Sequence, residues 1–218
     1  MKVLVIISPQ CERAIAVAAS LGEPVALAIA ADDKVFAGQA LPEGVERFRI
    51  WDEALSPSKL HPVDRESGMA VVIAQAARRL GTPVVVLTES QTGLLGAALA
   101  EQLNLAHVSE VVSAKLQPTA DDESLLHVRR RGLRGIQVLC GSPQAVLSVL
   151  PPLTESPAVP EVTGNAVVEW SLAEVSLVAG ELPAPQLQVS AQSQRRHRPR
   201  LFIGAEALVE RLRRDGLD

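Results

Sequence analysis

The chain has no tyrosine, three phenylalanines and two tryptophans, so its core has to be built from aliphatic side chains. Cysteine is almost as scarce. Cys11 and Cys140 stand far apart and neither belongs to a C-x-x-C, which argues against a disulfide framework or a cysteine-built metal site and points to a reducing cytoplasm. Long apolar runs are missing too: none approaches the roughly 18 residues that a membrane-spanning helix needs. The N-terminal "MKVLVII" is broken at Ser8 and Pro9 and reads as a first strand rather than the hydrophobic region of a signal peptide. There is no excess of positive charge. A net charge of −4 gives nucleic acid nothing to be attracted to as a whole-molecule partner. G-x-S-x-G, Walker A and G-x-G-x-x-G are all absent, which leaves no independent catalytic motif. His61, His107, His127 and His197 have no second histidine or carboxylate at metal-ligand spacing, so no metal is expected.

What is present is an alternation of strand and helix patterns. Lys2 to Ile7 predicts a strand, and "CERAIAVAASLG" predicts a helix closed by Gly22 at the C-terminal cap position. Val25 to Ala30 is a continuous apolar strand of the kind buried on both faces. "RFRIW", Arg47 to Trp51, alternates, which predicts a strand with one solvated face, nearer an edge. "RESGMAVVIAQAARRLG" predicts a helix that starts near Asp64 and ends in Arg78, Arg79 and Gly81, followed by a strand at Pro83 to Leu87. The repeat implies an α/β fold, a mostly parallel sheet with helices on both faces. "VVSAKL", "LLHVRR" and "GIQVLC" then predict three short strands in a meander. From Pro151 onward Pro, Ser and Gln become frequent. Residues 1–150 are therefore expected to form an α/β nucleotide-binding-like domain and 151–218 an extended arm, ending in a short amphipathic helix over "AEALVERLRRDGLD". The weakly patterned Lys34 to Val45 receives no role.

The stretch after the fourth strand, "TESQTGLLGAALAEQLNL", carries the first candidate site. Ser90 is placed to cap the helix, which would direct the backbone N–H groups of Gln91 to Leu94 toward the carboxyl end of the strand, a geometry suited to an anion. Gly93, Gly96, Ala97 and Ala100 make a flat helix face, suited equally to a ligand and to close packing on the sheet. Arg129, Arg130, Arg131 and Arg134 form a basic cluster beside Gly132 and Gly135. Such a cluster serves either to bind a phosphate or an acidic partner surface, or to keep a strand edge from unwanted pairing. "QRRHRPR", Arg195 to Arg200, lies in the arm without interleaved aromatics and reads as a solvated linker or a subunit contact. Cys11 sits at the start of a helix, where a dipole lowers a thiol pKa, but it has no base or resolving cysteine beside it and also fits a small buried position.

Several of these segments resemble, in order, the β subunit family of electron-transfer flavoproteins. "MKVLV" is similar to the family's start. "SPQCERAIAVA" looks like its N-P-x-D-E-x-A helix opening, with Pro9, Glu12 and Ala14 matching. Gln91, Thr92, Gly93, Leu99, Ala100 and Glu101 fall on its Q-T-G turn and following helix, and Glu169, Trp170, Ser171, Leu172 and Ala173 on its E-W-S-L-A segment. The resemblance implies an adenine-nucleotide-hydrolase-like, Rossmann-like fold. It also implies AMP and FAD as cofactors, with Ser8, Pro9, Thr88, Glu89, Ser90, Gln91, Thr92 and Gly93 at the cofactor site. The partner would be an α-type subunit contributing most of the FAD site, with a dehydrogenase as redox partner, or a second copy of the chain where no such subunit is present. Val159 and Pro160, in the recognition segment, and Arg129, Arg130 and Arg131 would face partners. Neither nucleic acid nor a membrane is expected.

The chain also departs from that pattern. The loop after the first strand is short, the Asp-rich AMP loop is reduced to Thr88, Glu89 and Ser90, and Gln10 and Cys11 replace an aromatic residue and an aspartate. Arg129 stands where the family has a glutamate. A second expectation therefore stays open, a non-redox binding or scaffold protein that kept the fold and lost the cofactor.

Overall fold

The computed structural model describes residues 1–31, 33–37, 39, 41–56, 62–89, 93–118, 124–133, 135–151 and 166–177. The chain divides into two compact units, Met1–Gln186 and Leu187–Asp218, and the described residues all belong to the first. The expected terminal helix, "QRRHRPR", Arg134, Val159 and Pro160 lie outside them.

Period-2 burial organises the center. In β1 (Lys2–Ile7) Leu4 and Ile6 join one hydrophobic cluster while Val3, Val5 and Ile7 join another on the opposite face, so the strand is buried on both sides. The remaining elements are α1 (Glu12–Leu21), β2 (Glu23–Ile29), β3 (Glu46–Ile50), α2 (Pro62–Leu80), β4 (Val84–Thr88), α3 (Leu94–Leu103), β5 (Ala106–Pro118), β6 (Ser124–Gly132), β7 (Gly135–Gly141), β8 (Ala145–Val149) and β9 (Val167–Trp170). They build one nine-stranded sheet in the order β7-β6-β5-β8-β4-β1-β2-β3-β9. Every pairing from β5 to β9 along that order is parallel, and only β6 and β7 run antiparallel to their neighbours. Helix α1 supplies Ala14, Ile15, Val17, Ala18 and Leu21 to one face, and α2 and α3 cover the other with residues such as Ile73, Leu95 and Leu99. The α/β class expected from the alternation is observed.

One strand departs from the sequence reading. β8, "AVLSV", was not expected at all, yet it lies between β4 and β5 with all five residues buried. β3 lies near an edge, as its alternation implies, with β9 alone outside it in parallel register, Phe48 opposite Val168 and Ile50 opposite Trp170. In the region after Pro151, "VVEW" forms β9 at the edge of the sheet, and the first compact unit extends to Gln186. Gly22 does sit just after α1, for a different reason than a left-handed cap. Its φ of 167° is extended backbone open to any residue, but an added Cβ would collide with the carbonyl oxygen of Met1.

Candidate functional site

Strand order reverses beside β1. The chain leaves it through α1 toward β2 and β3 on one side, then returns through α2 to β4 on the other. In open α/β sheets that reversal leaves a crevice at the carboxyl ends of the two central strands, where ligands bind. Here a cavity of about 650 Å³ occupies it. The volume falls within the range of ordinary small-molecule sites, roughly 300–1,000 Å³.

The floor is apolar, formed by Ile6, Ile29, Leu87 and Leu95 with Met69 of α2 beside them. Around it stand the loops. Ser8, Pro9 and Gln10 follow β1, and Thr88 and Glu89 end β4. Gln10 has φ 62°, a left-handed conformation that costs a non-glycine residue energy. Its carbonyl accepts a hydrogen bond from the Thr88 hydroxyl at 3.4 Å, which ties the two loops together. Four of the residues expected at a cofactor site, Ser8, Pro9, Thr88 and Glu89, thus line one cavity. Gly93 lies nearby as the left-handed cap of α3, φ 70°, and outside the lining; Ser90, Gln91 and Thr92 lie outside the described residues.

Sequence reasoning missed the contribution of α2. Arg65 and Glu66, in its opening turns, line the same cavity, as does Val35 of the unassigned Lys34 to Val45 segment. The acidic residue that marks this first turn is Asp64, so the sequence pattern by itself does not point to Arg65 or Glu66. Glu66 Oε2 accepts the backbone N–H of Leu95, in the first turn of α3, at 3.0 Å. This helix N-terminus therefore already holds an anion, one belonging to the protein. Glu89 Oε2 accepts the N–H of Glu110 at 3.1 Å, pinning a left-handed bulge in β5, where φ is 56°. Arg65 Nε donates to the Leu55 carbonyl.

These contacts decide what fits. The apolar floor and the rim of hydroxyls and carboxylates suit a flat ring carrying hydroxyl groups, such as a nucleoside. Against the described turn of α3 the Glu66 carboxylate takes the Leu95 amide, so that amide is not open to a phosphate, and the charged lining is Glu66 and Glu89 with Arg65.

The small-residue face of α3 is divided by burial. Gly93 and Ala97 are exposed, whereas Gly96 and Ala100 are buried. A Cβ on Gly96 would collide with Ser148 Oγ and His107 Nε2, which are hydrogen-bonded to each other at 2.9 Å beneath the helix. Gly96 therefore serves close packing. Burial holds the His107 pKa below its usual value, with Glu89 opposing and Arg130 reinforcing that effect, which favours the neutral imidazole.

The basic cluster is also divided. Arg129 and Arg131 are exposed on one face of β6, and Arg130 points to the other, half-buried, its Nε without a hydrogen-bond partner among the described residues. Arg131 Nε pairs with Glu110 Oε2 at 2.9 Å. Cys11 is fully buried and its Sγ–H donates to Gln39 Oε1 at 3.0 Å. Burial pushes its pKa from 9.0 to about 11, outweighing a backbone hydrogen bond from Ser8, so no activated thiolate exists there. No cluster of His, Cys, Asp or Glu among the described residues could hold a metal, and no described helix is long and apolar enough to cross a membrane. Compared with models of protein families and with curated proteins, the sequence matches none.

Proposed function

We propose that this chain is a β-type subunit of an electron-transfer-flavoprotein-like heterodimer. The cavity at the carboxyl ends of β1 and β4 is its adenine-nucleotide site, and an α-type partner supplies most of an FAD site. One observation carries the reading: Ser8 and Pro9 from one loop and Thr88 and Glu89 from another, separated by about eighty positions in the chain, converge on a single cavity at the strand-order reversal. In this reading the chain performs no substrate chemistry of its own. It holds the nucleoside end of a ligand and presents Arg129, Arg131, Val159 and Pro160 to partners, one of them a dehydrogenase.

The Glu66 carboxylate on the Leu95 amide favours a second reading, a binding protein that keeps the cavity for a ligand without a phosphate at that position. Calorimetric titration of the full chain with AMP, adenosine and FAD, beside native mass spectrometry of the gently purified protein, separates the two. AMP or FAD bound by the wild-type chain supports the subunit reading. Adenosine bound at least tenfold more tightly than AMP, with Glu66→Gln narrowing the difference, supports the second. No binding of any of the three, and no co-purifying nucleotide, overturns both as accounts of the cavity.

A further inference from the structure

The two edges of the sheet are built in opposite ways. At one end β9 is only four residues long and carries Glu169, which is ion-paired with Arg49 of β3, so it offers little to an incoming strand. At the other end β7, "GIQVLCG", has seven residues, all exposed, with no charge, no proline and no bulge in its pairing with β6. Val138 is 60% exposed, Ile136 50% and Leu139 39%, and the adjoining turn residue Leu133 is fully exposed. Edge strands are normally blunted by lysine, proline, bulges or shortness. β7 has none of these devices.

We infer that β7 is an interface for a second copy of this chain, pairing antiparallel with its own equivalent about a two-fold axis near Val138 and continuing the sheet across the joint. In such an isologous joint each residue near the axis meets a residue of the same strand. A charge close to the axis would oppose its own like, and the absence of charge along Gly135–Gly141 satisfies that condition. An uncharged strand also offers no complementary charge by which a different partner would be selected. The arginines of this region stand one strand back: Val138 lies opposite Arg129 and Ile136 opposite Arg131. Across the joint the two copies of β6 are three strand spacings apart, about 14 Å, beyond the ~8 Å over which salt screens charge at physiological ionic strength. Arg131 is further neutralised by Glu110. Val138 would lie beside Val138 of the partner subunit, Ile136 beside Cys140 of the partner subunit on the same face, and Leu139 beside Gln137 of the partner subunit on the other, covering apolar surface that is exposed in the single chain. The pairing does not rest on the cavity and holds under either reading of it.

The test is sedimentation velocity and light scattering of the full chain at micromolar concentration, with Val138→Lys and, as a control on the opposite edge, Val168→Lys. Circular dichroism and thermal unfolding confirm that each variant is folded. A wild-type mass of about twice 23.1 kDa, lowered to the single-chain mass by Val138→Lys and unaffected by Val168→Lys, is the expected result. A short bis-maleimide should also join the Val138→Cys/Cys140→Ser variant to its copy, because Cys11, the remaining cysteine, is buried. A monomeric wild type overturns the inference. So does a dimer that Val138→Lys leaves intact, or an assembly in which that substitution releases a different protein.

Discussion

Gly96 shows how a single hydrogen atom in place of a methyl group sets the spacing between α3 and the sheet. An alanine there would have to displace the His107–Ser148 pair, so Gly96→Ala is expected to destabilise the protein by about 1–3 kcal/mol, read as a lowered urea midpoint. Cys11 makes the complementary point about a buried thiol. Its folded pKa of about 11 lies above the 9.0 of the unfolded chain, so its contribution is complete below pH 9 and is lost as pH rises through 11. Two units correspond to about 3 kcal/mol at ~1.4 kcal/mol each. Urea unfolding between pH 8 and 11 should therefore show a steeper alkaline loss for the wild type than for Cys11→Ala. Part of the cavity was legible at this scale. Ser8, Pro9, Thr88 and Glu89 line it, and they are the residues that the family resemblance of their segments implies at a cofactor site. Arg65 and Glu66 were not legible, because only the path of α2 across the sheet brings them to the same place.

Among the elements, those with a strong period were readable and those defined by their neighbours were not. β1, β2, β4 and the helices α1, α2 and α3 announce themselves by apolar runs and stripes. The five residues of β8 are too short a run to show where in a sheet they belong, and β9 follows a proline-rich stretch that disguises it. β9 is held by a compact set of contacts. Trp170 packs on Phe48 with ring centroids 4.4 Å apart, Arg79 lies 4.7 Å from the Trp170 ring, and Arg79 also donates to the Glu174 carbonyl. The turn that follows is a capping box. Glu174 accepts the Ser171 N–H at 2.6 Å and its hydroxyl at 2.9 Å, and the Glu174 N–H donates to Ser171 Oγ. The Ser171 hydrogen bonds hold the Glu174 carboxyl below the ordinary glutamate value. Its contribution is thus present above the unfolded pKa and is lost as pH falls through the folded one. In a Trp51→Phe background, Trp170 fluorescence should change in acid as this turn loosens. Glu174→Gln should shift the neutral-pH signal toward the acid form and flatten that change.

At the scale of the whole molecule, the α/β class was legible because a repeated strand–helix pattern admits few architectures. The order of the strands was not, since no local pattern records that β8 inserts between β4 and β5. That insertion has a consequence for how the chain is made. Until residues 145–149 have left the ribosome, β4 has no neighbour on its outer side and β5 has none on its inner side. The first half of the sheet and the β5–β7 meander must then wait as separate pieces, each with an open edge, for the seconds that synthesis of the intervening residues takes at roughly 5–20 residues per second. Ala145–Val149 is the latch that closes them into one body, and a ribosome pausing just before it would hold the nascent chain in its most aggregation-prone form.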